Sequence, residues 1–170
     1  MKKVLAIFLA LIIGLSMSAQ IQTKILGFTL GTTSKTSVLN HYKTRITRVN
    51  HNADETYRIQ DVNFAGLIWD YAYFAFVNDK LYRVSFQSSS NNIPASLLDL
   101  DWENLKSSLN KKYSQFYLSN RSTSEIKEYS DGTTYLTLNY EFFMDRMILC
   151  ISYSNEYLLH QTVKAAEDDL

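Results

Sequence analysis

The side chains able to do chemistry in this 170-residue chain are few and scattered. His41, His51 and His160 lie far apart, in three different kinds of segment, and share no metal-ligand spacing. Only "HNADE", with His51, Asp54 and Glu55, brings imidazole and carboxylates together locally. Its spacing fits no zinc pattern, so it reads as a hydrophilic surface loop, and neither a metal nor a cofactor is expected. Asp70 stands alone among large apolar groups in "LIWDYAY". A carboxyl in an apolar pocket has its pKa raised and can act as a general acid, which would suit a small exported hydrolase with a carboxylate site near Asp70. An exposed position at a strand start beside Gly66 is the more economical reading. Cys150, in the apolar and strand-like "MILCISY", reads as an inert core thiol, because a reactive thiolate needs cationic, exposed surroundings.

The stretch "GFTLGTTSKTS", residues 27–37, has the glycines, lysine and hydroxyls of a phosphate-binding loop but not the spacing. A Walker-type loop needs a second glycine five positions after the first and a lysine directly behind it; that position holds Thr32, and Lys35 follows Ser34. The segment reads instead as a strand end followed by a helix capped by Ser34 or Thr33, whose hydroxyls can accept from first-turn amides. No Gly-x-Ser-x-Gly elbow, His-Glu-x-x-His helix or dinucleotide fingerprint occurs. The expectation is therefore a protein that binds without catalysing.

Its candidate surface is aromatic. Among twelve tyrosines, Tyr71, Tyr73, Tyr82, Tyr135, Tyr140 and Tyr153 lie on expected strands. A wet sheet face rich in tyrosine makes good recognition surface, since each ring offers large contact area at low entropic cost. The competing reading is that these rings floor the helices.

The elements that must position these residues follow from apolar spacing. "TKILGFTLG" reads as a strand bounded by Gly31, and "SKTSVLNHY" as a helix. Ile46, Val49, Tyr57 and Ile59 belong to two modest strands around an Asn-rich turn at 50–54. Strands joined at Gly66 and at Asn78-Asp79 come next, with Tyr82, Val84 and Phe86 alternating against Arg83, Ser85 and Gln87. After the only proline, Leu98, Trp102, Leu105, Leu109 and Tyr113 form the apolar stripe of a long helix that should lie across a sheet. A three-strand meander with turns at Asp131-Gly132 and near Asp145 follows, then a closing helix from about Ser154.

Bulk properties set the setting. The first nineteen residues carry Lys2 and Lys3, an apolar run from Val4 to Leu15, and small residues before Gln20, the pattern of a signal peptide. Export to the periplasm or beyond is expected, with no stable membrane span after cleavage, since the apolar run is shorter than the roughly 20 residues a span needs. With 17 basic and 17 acidic residues the chain has no excess of positive charge for nucleic acid. The expected partner is another envelope or secreted protein. The single cysteine permits no internal disulfide, so packing alone must supply stability. Residues 20–170 form an expected single domain.

Displacing the chain against itself by 66 positions sets Gly66 on Gly132, Phe74 on Tyr140, Phe76 on Phe142, Asp79 on Asp145 and Leu39 on Leu105. The expected fold class is thus α+β: a two-layer arrangement of an antiparallel sheet with helices on one face, built from two tandem helix-plus-meander halves, 22–90 and 91–170. "LGFTLGTTSKTSVLN", a strand, a glycine and a capped helix, and "FAFVNDKLYRVSF", a strand, a tight turn and a strand, together resemble the tandem α/β units of the beta-lactamase-inhibitor-protein type and related small outer-membrane assembly lipoproteins. The chain also looks like the small exported domains of uncharacterised role made by Bacteroidetes-type bacteria. The resemblance implies a scaffold whose open sheet face binds other proteins. The inhibitor type carries disulfides and the lipoproteins an acylated cysteine, both absent here, so no functional residue carries over.

Overall fold

The computed structural model describes residues 20–50 and 55–168. The signal-like segment, and His51 and Asp54 of the "HNADE" cluster, lie outside the described residues.

The chain opens with a small hairpin, β1 (Lys24–Ile25) and β2 (Phe28–Thr29), rather than one continuous strand. Leu26 and Gly27 take positive φ of 51° and 88°, which reverses the backbone and lets Ile25 and Phe28 both point into the core. Helix α1 (Lys35–Tyr42) follows, and the Ser34 hydroxyl accepts from the Ser37 amide at 3.2 Å as the capping argument expects. The loop between is docked against the rest of the fold. Gly31 donates to the Leu81 carbonyl at 2.8 Å, Leu81 to Thr33 at 2.8 Å and Lys35 to Asp79 at 3.0 Å. Its amides are thus taken by the protein itself.

The remaining strands are β3 (Thr47–Asn50), β4 (Glu55–Phe64), β5 (Leu67–Val77), β6 (Lys80–Ser89), β7 (Ile126–Ser130), β8 (Thr134–Phe143) and β9 (Arg146–Asn155). They form one antiparallel sheet in the order β3–β4–β5–β6–β9–β8–β7. Two meanders therefore meet at β6 and β9, where Val84 faces Tyr153 and Phe86 faces Ile151. Helix α2 (Ala95–Tyr113) buries the expected stripe, Leu98, Trp102, Leu105, Leu109 and Tyr113, against that junction. Val38 of α1 joins the same core, so both helices roof one face of the sheet. Helix α3 (Glu156–Asp168) lies against β6 and β9, and its described residues add nothing to the buried core.

Two irregularities shift the in-and-out alternation. Leu81 faces Phe76 and Arg83 faces Ala75, leaving Tyr82 as an extra residue between them. Leu81, not Tyr82, consequently shares the core face with Val84 and Phe86. On β4 and β5, core residues Ile59 and Ala72 are succeeded by Val62 and Trp69, three positions on rather than two. Asp61, between them, takes a positive φ of 51°. This slip turns Trp69 inward, where its indole donates to the Phe64 carbonyl at 3.1 Å.

Candidate functional site

The face turned away from α1 and α2 can be read row by row from the strand register, since residues directly opposite on antiparallel strands share a face. One row runs Gln60–Tyr71–Gln87–Cys150–Asn139–Ile126, the next Arg58–Tyr73–Ser85–Ser152–Thr137–Glu128, and a third Thr56–Ala75–Arg83–Ser154–Tyr135–Ser130. It is a surface of amides, hydroxyls and two guanidinium groups, with three tyrosine rings.

Tyr71 and Tyr73 form its aromatic centre. Their ring centroids lie 6.0 Å apart at 48°, and the Arg58 guanidinium stands 4.9 Å from the Tyr71 centroid. Burial pushes the Tyr73 hydroxyl above its usual range, with a hydrogen bond to Arg58 opposing the shift. Beside them Thr56, Tyr73, Ala75, Arg83, Ser85, Gln87 and Cys150 line a depression of about 260 Å³. Its floor is stitched by the Ser152 hydroxyl donating to Ser85 at 2.7 Å. Farther along, Tyr135 is pushed up to about 12, first by burial and then by its hydrogen bond to Glu128.

The six candidate tyrosines do not share this face. Tyr71, Tyr73 and Tyr135 do. Tyr153 belongs to the core and Tyr140 packs against it, because they follow the parity of Ile151 and Leu138 on the helix side. Tyr140 stacks on Trp102 at 5.7 Å and donates to Asp99 of α2, and burial with that carboxylate pushes its hydroxyl up to about 12. Tyr82 is the buried extra residue of β6. Tyr71, Tyr73 and Tyr135 thus lie on the polar face, whereas Tyr140 and Tyr153 floor the helices.

Cys150 also changes sides. It sits half-buried on the polar face rather than in the core, because its neighbours Leu149 and Ile151 take the inward positions. Burial raises the thiol above its ordinary range, and a contact with Ser152 at 3.7 Å partly offsets it, so the sulfur stays a thiol at neutral pH. Asp70 is not at an exposed strand start. It is half-buried within β5, and its carboxylate accepts from the Ser89 amide at 2.9 Å. Glu55 of the "HNADE" cluster pairs with Lys35, which holds its carboxyl below the usual carboxylate range. Among the described residues no group of three or more His, Cys, Asp or Glu side chains is placed to hold a metal ion.

Sequence reasoning missed Arg58, Gln60 and Asn139. The only signal for them is their cross-strand register with Tyr71, Tyr73 and Cys150, which a single strand does not carry. The structure defines an α+β protein with a seven-stranded antiparallel sheet. No protein-family model, curated protein or solved structure matches the chain. No helix among the described residues is long and apolar enough to cross a membrane.

Proposed function

We propose that this is an exported, non-catalytic binding module that recognises a protein, peptide or cell-envelope component through the polar face of its sheet. The observation that carries this reading is the cluster of Arg58, Tyr71 and Tyr73 on the face opposite α1 and α2. Rigid aromatic rings beside a guanidinium, set among amide and hydroxyl groups, form the kind of surface that interfaces favour. The rings are held by a continuous sheet, so little ordering entropy opposes contact. The tandem arrangement of two helix-and-meander halves supports the scaffold reading as well.

The experiment is capture from the native envelope with the protein as bait, in parallel with Tyr71→Ser, Tyr73→Ser and Arg58→Ser variants. A stoichiometric partner retained by the wild type and lost by the variants, with melting curves unchanged, is the expected result. Retention that ignores all three substitutions would remove this face from the mechanism.

A further inference from the structure

A second concavity lies on the other side of the sheet, between α2 and the β4–β5 turn, and it has the makings of a small-molecule site. Its volume is about 490 Å³, within the range of ligand pockets. Phe64, Leu67, Ile151 and Tyr153 supply the floor, and Leu105, Leu109 and Tyr113 of α2 the wall.

The polar groups around this apolar space point to one kind of ligand. Lys112 stands at the rim, exposed, with its ammonium 4.8 Å from the Tyr113 ring centroid. No acidic residue lines the cleft, and Lys112 has no ion-pair partner among the described residues. Tyr113 and Tyr153 both line it while being almost wholly buried, at 1% and 4% exposure. Neither hydroxyl has a hydrogen-bond partner among the described residues, in contrast to Tyr129, which donates to Asn110, and Tyr140, which donates to Asp99. Neither hydroxyl oxygen is among the sealed, unpartnered polar atoms of the described residues, so both open onto the cleft, where a molecule entering it can accept from them. Burial, with the nearby Tyr113 adding to it, raises the Tyr153 hydroxyl far above its ordinary range, so it remains a donor at any physiological pH.

We propose that this cleft binds a small apolar monocarboxylate of the medium-chain fatty-acid kind, its chain against Phe64, Leu105, Leu109 and Ile151 and its carboxylate between Lys112 and the two tyrosine hydroxyls. A carboxylate offers only acceptors, which matches a lining of one ammonium and two hydroxyl donors without a competing acid. The site is independent of the polar face. Ligand binding here and partner capture there succeed or fail separately.

The test is isothermal titration of the protein with decanoate and, as the uncharged control, decanol. Saturable one-site binding of decanoate is expected. Lys112→Gln and Tyr153→Phe should each weaken decanoate by about tenfold, the scale of one charge-assisted hydrogen bond, and Lys112→Gln should leave decanol within about twofold. Ser108→Trp, which sets an indole across the mouth from an exposed helix position, should abolish both; Tyr71→Ser should change neither. Thermal melts establish that each variant is folded. Absence of saturable decanoate binding, equal affinity for decanoate and decanol, or indifference to Ser108→Trp would each overturn the assignment.

Discussion

At Asp70 a single carboxylate stands in for a backbone partner. The slip around Asp61 takes this position out of regular alternation, and its side chain accepts from the Ser89 amide at 2.9 Å while its own amide meets the Ser88 hydroxyl at 3.4 Å. Ser88 and Ser89 are buried, so an unmet amide there would lack water as a substitute. Asp70→Ala should therefore destabilise the protein by about 1–3 kcal/mol, read from urea denaturation, whereas Asp70→Asn keeps an acceptor and should cost less. A hydrolase centred on Asp70 would show the opposite ordering of consequences: Asp70→Asn folded as the wild type yet without activity. Gly31 illustrates a different constraint. It holds φ at 80°, a conformation that favours glycine, and a Cβ there would also come within 2.8 Å of the Asn155 side-chain nitrogen, so the loop that resembles a phosphate cradle needs its glycine for backbone geometry.

Elements in this protein are set largely by their turns. The β5–β6 hairpin turns at Asn78 and Asp79, with φ of 49° and 62°, and the β8–β9 hairpin turns at Met144 and Asp145, with φ of 47° and 63°. The two turns are the same conformation 66 positions apart, both with positive φ at each central residue, the type I′ pattern that suits the twist of hairpin strands. Asn tolerates that conformation; Met does not, and Met144 is 77% exposed with little packing to lose. Met144→Asn should accordingly raise stability by about 0.5–1 kcal/mol, seen as a higher urea midpoint with an unchanged slope. The Asn78-Asp79 turn was legible in the sequence because its residues are typical of positive φ. The turn around Met144 was legible only through Asp145 and through the 66-position correspondence.

For the molecule as a whole, the decisive contact is the pairing of β6 with β9. Under the same displacement β6 (80–89) falls on β9 (146–155), so corresponding strands of the two halves meet at the centre of the sheet. The core is common property: Val84 and Phe86 from one half lie beside Ile151 and Tyr153 from the other, beneath α2. A fragment of residues 22–90 would leave β6 as a bare apolar edge. It should give a weak, broad circular-dichroism melt or associate in light scattering, and adding residues 91–170 in trans should restore a cooperative transition. A fragment that melts sharply as a monomer would show that the halves are autonomous.

From the sequence came the alternation of strand and helix, the apolar stripe of α2, the Ser34 cap and the α+β class, because these depend on period and on local backbone chemistry within a few residues. Which face each tyrosine occupies came only from the tertiary structure. One extra residue at Tyr82 and one slip at Asp61 shift the alternation on β4, β5 and β6, and on β8 and β9, which pair without a break, parity separates Tyr135 from Tyr140 but only the packed helices decide which parity is inward. For the same reason the Arg58–Tyr71–Tyr73 cluster and the cleft under α2 exist only once strands distant in sequence are placed in register, since a site is a property of neighbours in space.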